Sequence, residues 1–248
     1  MSTPSDPAAL YPDVAACGTL AEALRVAGAG CLDAVPAESP GSGSLLQASV
    51  ASTLPHREPL RISAWQHERR WSVRGEEPYQ VACLIDGETD DLAQVAAAAR
   101  AWYDGDSLAD IRRAAPFVHL TGHFEVPDLD PVRLVESEWR HLLQEAREPE
   151  HPWQEQYQAL IEAAYAEPAL RALYPFTSHW ALRFSITTRP RLTLGSPCLS
   201  ADSDGMYGVG RGFVTPDLGV FSSPHEAVAR AVRRLPPDLA PVSLGLPL

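Results

Sequence analysis

The sequence predicts an α+β fold in which antiparallel sheets carry helices on one face. Three observations lead there. Runs of period-two alternation at Arg61–Trp65, Arg70–Arg74 and Tyr79–Ile85 read as strands. Stretches of helical periodicity, several opened by capping residues, lie between and after them. Strand-rich blocks flank a helical middle, and each block alone would leave the open face of its sheet uncovered.

The elements follow in chain order. Residues 1 to about 12 are polar and proline-rich and are expected to fray. Thr19 with Glu22 forms a capping box for a helix that Gly28 or Gly30 ends. Pro36 to Ser44 reads as a linker. After the first strands, Thr89 is expected to cap a helix with Leu92, Val95, Ala96, Ala99 and Trp102 inward. Asp130 and Pro131 open a central helix burying Leu134, Val135, Trp139 and Leu142. Another carries Trp153, Tyr157, Leu160, Ile161 and Ala164. His179–Thr187 reads as a strong strand, with Arg191–Leu194 and Met206–Val209 as partners. Ser223-Pro224-His225-Glu226 opens a closing helix that Pro236-Pro237 stops.

This gives residues 1–44 as a tail, helix and linker. Residues 45–248 then form one compact domain. Within it, two strand–strand–strand–helix units, 45–115 and 176–248, flank a helical insert over 116–175. The pattern of Tyr79 and Val81 against Tyr207 and Val209 suggests that the two units are copies.

Composition limits function. The formal net charge is −12, which repels phosphate backbones, so nucleic acid is excluded as a partner. No apolar run reaches the roughly 18 residues of a membrane helix. A start without basic or apolar character is not a secretory signal, and a cytoplasmic location is expected. The sequence contains neither lysine nor asparagine, which points to a GC-rich genome and removes Schiff-base, pyridoxal-phosphate and P-loop chemistry. Cys17, Cys31, Cys83 and Cys198 are scattered and expected as free thiols. No organic cofactor and no metal is expected.

The densest chemical feature is Pro175 to Ser185. Read as one strand, it puts Trp180, Leu182, Phe184 and Ile186 on the core side. His179, Ala181, Arg183, Ser185 and Thr187 then form a polar row on the other. His179 is the candidate acid/base and Arg183 the candidate anion or oxyanion binder, roughly 13 Å apart along the backbone. Structural pairing, with His179 holding a loop carbonyl and Arg183 a carboxylate, is the reading placed slightly ahead. Glu138 joins them as a third catalytic candidate, because four-residue steps set it near the buried stripe of its helix, with His141 three residues on. Phe176, Ser178, Trp180, Ser185, Trp139 and Tyr207 are the candidate binding residues. The His119 to His123 segment lacks the zincin pattern and reads as a strand or loop edge.

Several segments together resemble a known family. They are Asp90-Asp91-Leu92-Ala93, Pro116-Phe117-Val118, Trp139, Ala166-Glu167-Pro168-Ala169-Leu170-Arg171-Ala172-Leu173-Tyr174-Pro175-Phe176-Thr177-Ser178-His179-Trp180, and Glu226-Ala227-Val228. The pattern resembles the actinobacterial domain-of-unknown-function family 6193, described as natural-product-biosynthesis proteins, over about residues 60–240. The resemblance implies a biosynthetic context and supplies no catalytic residues. Two functions follow as expectations. One is an accessory or tailoring protein that binds a small metabolite, with a cofactor-independent cyclisation, isomerisation or dehydration as its chemistry. The other is a non-catalytic protein-binding or immunity-like module with a biosynthetic protein partner.

Overall fold

The computed structural model describes residues 6–28, 37–38, 44–78, 80, 82–148, 154–178, 181–193, 197–212 and 215–245, with 37–38 as backbone. Expectations for Cys31, Tyr79, Val81, Trp153, His179 and Trp180 lie outside the described residues. The fold is mixed α+β, as predicted. The chain divides at Thr121/Gly122 into two compact units, each with its own hydrophobic core.

The first unit runs α1 (Pro7–Leu10), α2 (Pro12–Cys17), α3 (Leu20–Ala27), β1 (Ala37–Glu38), β2 (Gln47–Val50), β3 (Leu60–Ala64), β4 (Trp71–Glu76), β5 (Cys83–Thr89), α4 (Leu92–Asp104), α5 (Leu108–Ala114) and β6 (Val118–Leu120). Its six strands pair in sequence order, each antiparallel to the next. Alternation sorts the two faces. Val50, Leu60, Ile62, Trp71 and Val73 are buried, whereas a row across the sheet pairs Arg61 with Arg74, Arg74 with Asp86, and Asp86 with His119.

Local chemistry explains the helix starts. Thr19 caps α3 by accepting from the Glu22 amide at 3.1 Å, as expected. The cap of α4 is Asp91, whose carboxylate accepts from the Ala93 amide; Thr89 instead accepts from the Asp91 amide one step earlier. Both residue types cap well, and the aspartate is the one next to the first turn.

The amino-terminal residues are part of this body. Tyr11, Val14, Leu20 and Leu24 are fully buried, and the Tyr11 hydroxyl donates to the Trp65 carbonyl at 2.8 Å and accepts from the Arg70 amide at 3.1 Å. Fraying is thus corrected for residues 6–12; residues 1–5 lie outside the described residues. Two short proline-started helices bury one aromatic and one valine that have no helical period long enough to register as a pattern.

The second unit runs α6 (Pro131–Glu145), α7 (Gln154–Ala166), α8 (Pro168–Arg171), β7 (Tyr174–Ser178), β8 (Ala181–Ser185), β9 (Thr187–Pro190), β10 (Cys198–Ala201), β11 (Tyr207–Gly210), β12 (Gly219–Phe221), α9 (Pro224–Val232) and β13 (Ser243–Gly245). One sheet has the order β12-β11-β10-β8-β7, and β13 pairs in parallel with β9. The helices expected as an insert therefore cluster with this second sheet, and Val118–Leu120 is paired to β5 in the first. The first unit is a six-strand meander and the second is not, so the duplicated unit rests on sequence pattern alone.

Asp130 caps α6 from its carboxylate, with Pro131 at the first position. Ser223 precedes α9 without a side-chain cap bond, so the proline alone marks that start. The stretch read as one strand from His179 to Thr187 is corrected. Strands β7 and β8 pair with Ser178 opposite Ala181, and β9 begins a separate pairing. Arg191–Leu194 contributes no described strand; β10 takes the expected place beside β11. Among the described residues, no helix is long and apolar enough to cross a membrane.

Candidate functional site

Helix α6 organises the chemistry of the second unit. Its polar inner side meets the segment that follows Gly122. Ser137 fixes that segment, accepting from the Phe124 amide at 3.0 Å and donating to the Phe124 carbonyl at 3.1 Å. Gly122 has φ +92°, and a Cβ there would stand 3.0 Å from the His141 Cα. Both the backbone sign and the closeness to the helix call for glycine.

The anchored segment lays His123 against Glu138. The His123 Nε2 is 3.1 Å from Glu138 Oε2, and the Tyr174 hydroxyl donates to that same oxygen at 3.0 Å. A carboxylate only accepts, so Nε2 carries the proton. The His123 ring stacks on His141, centroids 4.0 Å apart and planes 20° apart. Burial by itself raises the Glu138 carboxyl. The His123 hydrogen bond and the charges of His123, His141 and Arg189 outweigh it, and the group is held below its ordinary value. The Tyr174 phenol is pushed up by burial first and then by the Glu138 charge, so it remains a donor. Glu138 and His123 are both buried. Among the described residues, no group of three or more acidic, histidine or cysteine side chains is arranged to hold a metal.

The other side of α6 floors an apolar cavity of about 990 Å3. Val132, Val135 and Trp139 of α6, Tyr165 of α7, and Leu235 and Val242 of the carboxy-terminal segment are among its lining residues. Trp139 is held in place by its Nε1, which donates to the Arg171 carbonyl at 3.1 Å. Its ring meets Tyr165 edge-on at 5.5 Å and Phe184 at 6.1 Å. A smaller cavity of about 330 Å3 lies along α6, lined by Glu136, Arg140, Leu143, Gln144, Arg147 and Tyr165.

The sequence-predicted site residues divide among these surroundings. Glu138 joins His123 and Tyr174, while Trp139 floors the cavity. Phe176 stands opposite Arg183 in the β7–β8 pair, and the Arg183 guanidinium lies over the Phe176 ring at 5.5 Å. Ser185 is buried and engaged with its own turn. It donates to the Thr187 carbonyl at 2.6 Å and accepts from the Thr193 amide at 2.9 Å. Ser178 ends β7 opposite Ala181, and Tyr207 is buried in β11. The row expected to face away from the core is therefore covered at Ala181 and Ser185 and half-exposed at Arg183 and Thr187. His179 and Trp180 lie outside the described residues.

Sequence reasoning missed His123, Tyr174 and Arg189 as partners of Glu138. Four-residue helical steps signalled Glu138, and the three-residue spacing from it signalled His141. Nothing local signalled the others, because they reach α6 from a loop and two strands.

No curated protein and no solved structure matches the chain. A family model does, and it covers residues 133–246, which contain α6 from its third residue on, the Glu138 partners Tyr174 and Arg189, and the lining of both cavities apart from Val132, but not the Asp90-Asp91-Leu92-Ala93 and Pro116-Phe117-Val118 segments. Residues 133–246 are similar to the model of DUF6193, a family of unknown function.

Proposed function

We propose that the second unit binds a small, largely apolar metabolite in the groove floored by Trp139, and that the chain is an accessory or tailoring protein of secondary metabolism acting in the cytoplasm. The groove carries this reading. Its volume of about 990 Å3 falls at the upper end of small-molecule sites, which run from roughly 300 to 1,000 Å3. Its walls are aromatic and aliphatic, with Glu136 and Arg171 as polar exceptions. The resemblance to natural-product-biosynthesis proteins supplies the metabolic context.

Binding is favoured over catalysis because Glu138 and Arg183 are not among the residues that line the groove. An acid/base step needs its proton carrier within hydrogen-bond reach of the reacting atom. The protein-binding alternative draws on Val132, 73% exposed on the helix that floors the groove.

The test is calorimetric titration of the full chain with decan-1-ol. Saturable binding, weakened at least fivefold by Ala169→Trp, is expected, because Ala169 lines the groove. Absence of saturable binding, or binding indifferent to that substitution, rejects the reading. A stoichiometric protein partner lost on Val132→Asp would favour the alternative.

A further inference from the structure

We propose that the occupant of the groove is an amphipathic acid, an apolar chain ending in a carboxylate, whose charged end is held by Arg140 with help from Arg147. The inference rests on the groove being a binding site and adds the class of ligand. Positions 132, 135, 136 and 139 of α6 line the large cavity, and 136, 140, 143, 144 and 147 line the small one. Steps of three and four residues keep these positions on one helix face. The two cavities are therefore consecutive along that face, with Glu136 and Tyr165 common to both. From Val132 to Gln144 the face is roughly 18 Å long at 1.5 Å per residue. It is apolar at its start and cationic at its end.

The cations have charge to offer. The Arg140 guanidinium lies over the Phe124 ring at 5.9 Å, and no carboxylate among the described residues is paired with it. Arg147 approaches Glu162 only at 3.6 Å, with both side chains largely exposed, an arrangement that contributes little. Arg140 stands five residues before the last helical residue, Glu145, beyond the final turn in which the negative helix end acts. Glu136 occupies the junction. Its charge repels a carboxylate from the apolar stretch, which favours the ligand head one turn further on, at Arg140. Against an overall charge of −12, an anionic ligand needs such a local cationic end.

The test is titration of the full chain with decanoate, decan-1-ol and decylamine at low salt, repeated on Arg140→Gln. Decanoate is expected to bind at least about fivefold more tightly than the alcohol, with the amine weakest. Arg140→Gln is expected to remove that preference, and raising the salt to narrow it. Circular dichroism of the exposed-site variant checks that it is folded, and Arg147→Gln gives an independent, smaller reduction in the preference. Alcohol or amine binding as tightly as decanoate overturns the acid assignment and leaves the groove standing. A preference unchanged in both arginine variants overturns it as well. Failure of all three probes to bind removes the groove reading and the acid with it.

Discussion

Glu138 accepts a hydrogen bond from His123 at 3.1 Å, and both side chains are buried. The bond ties the middle of α6 to the segment that follows Gly122. A buried charge that loses its partner costs several kcal/mol, whereas replacing both partners by apolar groups of similar size costs far less. Glu138→Leu leaves the His123 Nε2 and the Tyr174 hydroxyl buried without their acceptor and is therefore expected to destabilise the second unit by about 3 kcal/mol. Glu138→Leu combined with His123→Phe is expected to cost less than the sum of the single changes. Urea unfolding at neutral pH measures both.

The same pair sets a dependence on acid. The Glu138 carboxyl is held below its ordinary value in the folded chain, so between the folded and unfolded values the unfolded chain binds more protons. Stability then rises with pH in that interval. The contribution is complete above the usual carboxylate range, near pH 4.5, and is lost as pH falls through the folded value. Urea midpoints measured from pH 3 to 7 are expected to drop more steeply below about pH 4.5 in the natural chain than in Glu138→Gln. Parallel curves would disprove the linkage.

Helical periodicity made α4, α6 and α7 legible, because a buried stripe at three- and four-residue steps needs no knowledge of its partner. Glu138 was legible for the same reason, as a carboxylate set near such a stripe. Its partners were not. His123 sits in a loop whose course depends on Ser137, fourteen residues away, and Tyr174 and Arg189 reach Glu138 through strand pairing. The Pro175–Ser185 stretch shows the limit most clearly. Its alternation describes one long strand as well as two paired ones, and the pairing of Ser178 with Ala181 is decided by tertiary contacts. The groove was invisible in the sequence, since its walls come from α6, α7, α8 and the carboxy-terminal segment.

Cys83 in β5 is expected to be a slow thiol. Burial pushes it up to about 11, with Arg74 opposing and the Asp86 and Glu76 charges adding to the rise. At pH 8 only about one in a thousand would be thiolate, the form that reacts. Iodoacetamide labelling followed by peptide mass spectrometry is expected to modify Cys83 at least tenfold more slowly in the folded chain than in urea, after allowing for the greater nucleophilicity of a high-pKa thiolate. Equal rates would show that the thiol is open to water.

Gly75 in β4 owes its identity to Trp102 of α4. A Cβ at position 75 would stand 2.5 Å from two atoms of the indole ring and 2.8 Å from Ile85 Cγ1. The ring has nowhere to go. It is fully buried, its Nε1 donates to the Glu58 carbonyl at 3.1 Å, and Arg57 covers its face at 4.6 Å. Overpacking of this kind costs roughly 1–3 kcal/mol, and the pinned ring puts Gly75→Ala toward the upper end. Trp102→Phe alone destabilises by leaving a void and an unpaired carbonyl at Glu58. In the Trp102→Phe background, however, Gly75→Ala is expected to cost at least 1 kcal/mol less than in the natural chain, because the smaller ring vacates the colliding positions. Urea unfolding of the four chains gives that difference directly, and additive effects would mean that strain is relieved by the strand instead of the ring.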